Sequence, residues 1–467
     1  MTANTTTATE SKKFSGTLRS KPNYTSALVL LTSLFFMWGF ITCLNDILIP
    51  HLKGLFDLNY TKTMLIQFTF FGAYALMSIP AGWIVGKIGY KKGIVLGLSV
   101  TGIGALMFYP ASMMISYGVF LTGFFILATG ITILQVAANP FVAILGAPET
   151  ASGRLNMTQA FNSLGTTIAP IFGGLLILSN HTVAAEKAAT VQIPYIGIAI
   201  ALFLIAVVFA FAKLPNIKAE SQQKAAGSAW KYPHLVLGAI AIFLYVGGEV
   251  SIGSFLISFF KEHDIAGLVE TEGAKYVAMY WGGAMIGRFF GAISLTGIKK
   301  QNTRFILYAV TMVFAFFLAW YLTKETTLAA LFLIFVIINL AGFLLGKNKP
   351  GRTLSIMAGI VVVLVTVTVI SSGKFAMWPI IAVGLFNSIM FPTIFTLAID
   401  GLGKDTSQGS GILCMAIVGG ALIPLLMGVM ADNFGIHHSF LITLVCYLYI
   451  LFYGIRGYKH QIKTENI

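Results

Sequence analysis

Three charged residues interrupt the long apolar runs of this 467-residue chain: Asp46, Glu249 and Arg288. By insertion scales each costs about 2.5–3.5 kcal/mol or more at the centre of a bilayer, so a charge kept there sits in a protein-lined or wet interior and has a task. Asp46 lies in Trp38–Pro50, WGFITCLNDILIP, beside the amide of Asn45. A carboxyl withdrawn from water can take up a proton, as a proton-coupled carrier requires. A carboxylate with neighbouring carbonyls can coordinate sodium instead. At about 1.5 Å per residue from Ser26, Asp46 stands roughly 30 Å along its helix. It is at the mouth if the helix stops there and deeper if it runs past Pro50. Glu249 is the second such group, a coupling site or an acceptor for a hydroxyl. Arg288, in GGAMIGRFFG, either pairs with an acid, Glu249 being the candidate, or reaches towards the interface.

Around these charges stand amides at helical spacing. Gln135 and Asn139 are four apart and share one face, and Gln159 and Asn162, three apart, do the same. Asn45, Gln67 and Asn387 extend the set. An amide both donates and accepts, which is what a neutral polyol needs, although interhelical hydrogen bonding at about 0.6 kcal/mol on average explains any single one. Trp38, Trp281, Tyr280 and Phe391 are candidates to stack on the apolar face of a sugar ring, where aromatics otherwise pack or anchor at interfaces. No HExxH, GxSxG, Walker loop or paired-cysteine motif is present, so an enzyme is not expected. The three cysteines lack metal-ligand spacing, and no metal or cofactor is expected beyond a coupling ion, H+ or Na+.

The elements that must position these residues are membrane helices. Hydrophobic residues are 57% of the chain and charged ones 10%, more apolar surface than a soluble core of this size can use. The net charge of +14 is not spread as a nucleic-acid surface would be. Twenty-two of the 30 Lys and Arg fall in the tails and in alternate loops, seven in the opposite loops, and Arg288 within a span. That asymmetry puts both termini in the cytoplasm of a bacterial inner-membrane protein and leaves nucleic acid out. Residues 1–24 form a polar tail with no cleavage site after the first apolar run, so no removable signal peptide is expected.

At about 20 apolar residues per crossing, the runs predict fourteen spans: 26–48, 63–86, 93–109, 116–143, 156–179 and 193–212, then 233–260, 276–297, 305–323, 326–346, 353–372, 375–399, 408–431 and 438–455. The polar stretch 214–232 is the linker. It separates a six-helix bundle at 25–213 from a second bundle at 233–457, with a cytoplasmic tail at 458–467. A weak repeat explains the unequal halves. Lys91-Lys92 matches Lys299-Lys300 at an offset of 208, whereas Pro140 matches Pro392 at 252. The difference of about 44 residues fits one hydrophobic hairpin inserted at 303–347. Parallel six-helix repeats around a central site are the major facilitator pattern.

Six segments carry a closer likeness: FITCLNDILIPHLK, QFTFFGAYALMSIPAG, LQVAANPFVAILG, LNMTQAFNSLG, YVGGEVSIGSFL and FNSIMFPTIFTLAIDGLG. Together they resemble the fucose/galactose:proton symporter family of the major facilitator superfamily, in its glucose/galactose transporter branch. The resemblance implies an all-α polytopic protein, monomeric in the lipid, that imports a hexose by cation-coupled symport. Proton coupling and glucose or galactose come first; sodium, L-fucose and N-acetylglucosamine are alternatives. It implies a central-cavity role for Asp46. The superfamily's loop motif corresponds to Gly82 through Lys91 and Lys92, here with Gly86 where an acid is usual. The L-fucose symporter has a glutamate where this chain has Gln135, and here the second acid is Glu249.

Overall fold

The computed structural model describes residues 25–145, 151–178, 184–212, 229–295, 300–347, 349–402 and 406–459, and these contain helices and no strand. The first set is α1 (Thr25–Phe56), α2 (Leu65–Ile88), α3 (Tyr90–Leu106), α4 (Tyr117–Ile144), α5 (Ala151–Leu176) and α6 (Gln192–Phe211). The second begins with α7 (Pro233–Lys261), α8 (Glu270–Leu295), α9 (Gln301–Thr323), α10 (Thr326–Gly346) and α11 (Pro350–Ile370). It ends with α12 (Met377–Asn387), α13 (Met390–Ile399), α14 (Thr406–Met415), α15 (Gly419–Phe434) and α16 (Leu441–Phe452). The linker at 214–232 lies outside the described residues except for Ala229–Lys231, a 3-10 turn, and Tyr232.

Twelve stretches among the described residues are long and apolar enough to cross a membrane. The two remaining long helices of the fourteen expected, α5 and α8, are not among the twelve, although each has 26 residues. The reason is their polarity: α5 carries Gln159, Asn162 and Ser163, and α8 carries Glu270, Glu272, Lys275 and Arg288. Both nevertheless run inside the helix packing. α5 lies parallel to α1, with Gly165 against Phe36 and Gly173 against Ile47, while α8 lies antiparallel to α5, with Ala274 opposite Gly174 and Gly282 opposite Thr167. Apolar helices in lipid approach where small residues allow it. At Gly97, for example, an added Cβ would stand 2.8 Å from the Leu134 amide of α4.

The two sets meet along α5–α8, α2–α15 and α1–α7. For orientation, the end at which α1 starts and α16 finishes is the tail face and the opposite end the far face. At the far face the sets are tied together. Asp432, near the end of α15, accepts from the Tyr60 and Thr61 amides at 2.7 and 2.8 Å and from the Thr61 hydroxyl at 2.5 Å. The Tyr60 ring stacks on Phe255 at 5.7 Å, and its hydroxyl donates to Glu262 at 3.2 Å.

α9 and α10 form a hairpin laid against α8, α11 and α12. Phe305, Ile306, Val310, Phe317 and Ile334 leave its outer side exposed and apolar, as a lipid-facing surface is. Its inner side carries one buried amide. Asn339 Nδ2 donates to the Leu385 carbonyl at 3.1 Å, in the last turn of α12, where carbonyls have no amide ahead within the helix. The span expected at 375–399 is thus two helices with a break at Ser388–Ile389, held from outside by the hairpin.

Candidate functional site

α1 does not stop at Pro50. It continues to Phe56, so Asp46 lies ten residues, about 15 Å, inside the helix end. Pro50 has no N–H, and the carbonyl four residues back, that of Asp46, loses its helical partner. Asp46 is 6% exposed, and its side chain lies at the seam between the sets. Its Oδ1 accepts from Gln67 Nε2 of α2 at 2.7 Å and from Ser254 Oγ of α7 at 3.0 Å, and Gln67 Nε2 also donates to Ser254 at 2.8 Å. A Cβ on Gly253 would stand 3.0 Å from the Trp281 ring and 3.5 Å from Asp46 Oδ2, so the missing side chain lets both reach this point of α7.

Glu249 is one helical turn further towards the tail face on the same helix. Its Oε1 is 2.7 Å from the hydroxyl of Tyr245, which is also 3.0 Å from the Asn387 carbonyl at the break of α12. The Asn387 side-chain amide donates to the Tyr280 hydroxyl at 3.1 Å, and Tyr280 donates to the Glu249 main-chain carbonyl at 3.3 Å. α8 and α12 come this close because Gly384 lies directly on the Tyr280 carbonyl. The ring of Tyr447, from α16, packs on Gly248, and Trp281 meets the Tyr280 ring edge-on at 5.0 Å. Five buried polar atoms here have no hydrogen-bond partner: Gln67 Oε1, Ser251 Oγ, Trp281 Nε1, Asn387 Oδ1 and Tyr447 Oη. Buried polar groups are ordinarily paired, so five near two acids mark the place where another polar molecule would be held.

The remaining candidates divide. Arg288 makes no ion pair with Glu249; its guanidinium donates to Ser163 of α5 across the seam. Asn162 Nδ2 donates to the Phe35 carbonyl of α1 at 3.1 Å, and the Gln159 carbonyl accepts from Ser163 at 3.1 Å. Gln135 donates to the Tyr74 hydroxyl at 2.8 Å, beside Trp38, and Asn139 Oδ1 is buried without a partner. Asn45 turns the other way from its neighbour Asp46 and meets the Tyr195 hydroxyl of α6 at 3.5 Å, within the packing of the first set. Phe391, half-buried on α13, stacks on Phe395 at 6.1 Å. At the tail face, Lys91 donates to the Ala212 carbonyl at the end of α6 at 2.8 Å, Lys92 is exposed and Gly82 half-buried. Tyr280, expected as a stacking aromatic, stands here as a hydrogen-bonding group, and Tyr245, Ser251, Ser254 and Tyr447 were not expected from the sequence. Of these Tyr245 had a signal, since it stands four residues before Glu249 and so shares its face. Among the described residues no group of three His, Cys, Asp or Glu is placed to hold a metal.

The family model described as Major Facilitator Superfamily matches residues 29–348. A glucose/galactose transporter of Brucella abortus is 51% identical over 94% of this chain and 96% of its own. The chain belongs to the major facilitator superfamily, in its fucose/galactose:proton symporter family. It is a membrane carrier and not an enzyme. An L-fucose-proton symporter of Escherichia coli is 30% identical over 95% of each chain. The structure of such a transporter, FucP in the outward conformation, superposes with a TM-score of 0.65 at 29% identity, covering 93% of this chain and 99% of that one. This carrier shares the helix packing of that transporter.

Proposed function

We propose that the chain imports a hexose, glucose or galactose first, together with a proton by alternating access. The bundles 25–213 and 233–457 rock about the seam, and 214–232 links them. The observation that carries this reading is the Asp46 carboxyl, buried between Gln67 of one set and Ser254 of the other. A proton arriving there alters contacts on both sides of the seam at once, which is what coupling needs. Glu249 is the second proton site. The unpaired atoms of Gln67, Ser251, Trp281, Asn387 and Tyr447 suit sugar hydroxyls, each of which donates and accepts. Gln135, Asn139, Gln159, Asn162 and Trp38 line the approach from the first set.

The tail face is assigned to the cytoplasm of a bacterial inner membrane, with both termini there, because Lys and Arg concentrate on that side. The state described is then closed towards the periplasm by Asp432. All fourteen expected spans cross the membrane, those of α5 and α8 included, since both run alongside spanning neighbours. The protein works as a monomer in lipid, needs no cofactor and binds no nucleic acid. L-fucose and N-acetylglucosamine are the other sugars to try. Sodium coupling is a second reading, favoured by oxygens near Asp46: its carboxylate, its carbonyl freed by Pro50, and Gln67 Oε1.

The test is labelled-glucose uptake into proteoliposomes with a proton gradient, a sodium gradient or neither. Accumulation driven by protons alone supports the first reading and by sodium alone the second. No uptake of any of these sugars under either gradient would overturn the substrate assignment.

A further inference from the structure

Two bridges join Glu249 to Asn387, and only one of them depends on a proton. In the first, Tyr280 receives the Asn387 amide at 3.1 Å and gives its own hydrogen to the Glu249 main-chain carbonyl at 3.3 Å. Each of those contacts is satisfied whatever the state of the Glu249 carboxyl. The second bridge is Tyr245. Its hydroxyl stands 2.7 Å from Glu249 Oε1 and 3.0 Å from the Asn387 carbonyl. A phenol has one hydrogen to donate.

With Glu249 ionised, the charge-assisted bond to the carboxylate is the stronger and takes that hydrogen. The Asn387 carbonyl then loses its donor. With Glu249 protonated, the carboxyl O–H donates to Tyr245 Oη, and the phenol hydrogen is released to the Asn387 carbonyl. Both contacts are hydrogen bonds only in the protonated form. The carbonyl at stake belongs to a fully buried residue at the break of α12, where the helix supplies no replacement donor.

We propose that Tyr245 is a positioning residue that transmits the protonation of Glu249 to the broken helix, so that the Asn387 main chain is fully tied down, and sugar bound more tightly, when Glu249 carries a proton. The inference deepens the reading of Glu249 as a proton site and rests on it. The other titratable or charged groups facing Glu249 are Tyr280 and Arg288 from α8, Asp46 from α1, and Tyr447 with Cys446 from α16. None of them lies between its carboxyl and the Asn387 carbonyl as Tyr245 does. A buried carbonyl that keeps or loses one hydrogen bond changes binding by about five- to tenfold.

The experiment is [3H]glucose binding to the purified full-length protein from acid to alkaline pH, in the wild type, Tyr245→Phe, Glu249→Gln and the double variant. The four proteins are compared in an Asp46→Asn background as well, because Asp46 faces Glu249 and its titration would otherwise change with the Glu249 substitution. Glu249→Gln should remove the part that Glu249 contributes, because its amide donates to Tyr245 at every pH. Tyr245→Phe should remove the same part, and the double variant should show no further change. Tyr280→Phe breaks the other bridge and should weaken binding about fivefold at every pH while leaving the pH profile as it is. If Glu249→Gln still flattens the profile in the Tyr245→Phe background, the relay is refuted and the proton site stands. If Glu249→Gln leaves the native profile untouched, the proton site fails and the relay with it. Should Tyr245→Phe not fold, Glu249→Gln decides alone: at alkaline pH it should bind sugar about five- to tenfold more tightly than the wild type, and weaker binding overturns the proposal.

Discussion

Asp432 is the clasp of the far face, and removing its carboxylate should open that face. The side chain accepts three hydrogen bonds, from the Tyr60 amide at 2.7 Å, the Thr61 amide at 2.8 Å and the Thr61 hydroxyl at 2.5 Å. It caps the one-turn helix Tyr60–Thr63 from across the seam, while Asn59 caps it from within through the Lys62 amide at 2.8 Å. A side-chain cap contributes about 0.5–2 kcal/mol. Because these groups are exposed to solvent, we take about 1.5–2 kcal/mol for the three together, at the modest end for charged contacts at a surface. At 1.4 kcal/mol per factor of ten, Asp432→Ala should raise the open population about ten- to thirtyfold. The Tyr60–Phe255 stack and the Tyr60–Glu262 bond remain, so the variant should still close. The readout is the reaction rate of a cysteine at Thr63, fully buried behind the turn, with an impermeant thiol reagent applied from the far face. Asp432→Asn should fall in between, since an amide oxygen still accepts but without charge. An unchanged rate in Asp432→Ala would refute the clasp. A rate in Asp432→Asn as high as in Asp432→Ala would refute the role given to the charge.

Asp46→Asn should abolish gradient-driven accumulation while leaving sugar exchange across the membrane, because the amide keeps an acceptor for Gln67 and Ser254 but cannot carry the proton. Full accumulation by this variant would remove Asp46 from the coupling scheme. Gly384→Ala places a methyl on the Tyr280 carbonyl, an overpacking of about 1–3 kcal/mol. Its thermal midpoint should fall by several degrees and its sugar affinity with it, as Tyr280 moves off Asn387; a midpoint equal to the wild type would show that α8 and α12 part without cost.

The helices were legible because a bilayer leaves so few choices. Apolar runs of the right length must be helical, and the expected boundaries at 326–346 match α10. The two acids were legible for the same reason: in an apolar run a charge stands out by its cost. What surrounds them was not legible. Ser254, a partner of Asp46, is 208 residues away in the chain, and Asn387 is 142 away from Tyr245; no local period carries a pairing across helices. Ser251, Ser254 and Tyr447 are single polar residues of kinds common in apolar helices, so composition gave them no weight. Asn45 and Asp46 are neighbours in sequence, yet helical geometry turns one to α6 and the other to the seam. Pro50 left two depths open for Asp46, and only the packing of α1 to Phe56 decided between them. The sequence by itself determined that charge is buried and in which helices, because solvation cost is a property of each residue in its run. The tertiary structure alone decided what each charge touches, because crossing points are set by which side chains let two helices approach.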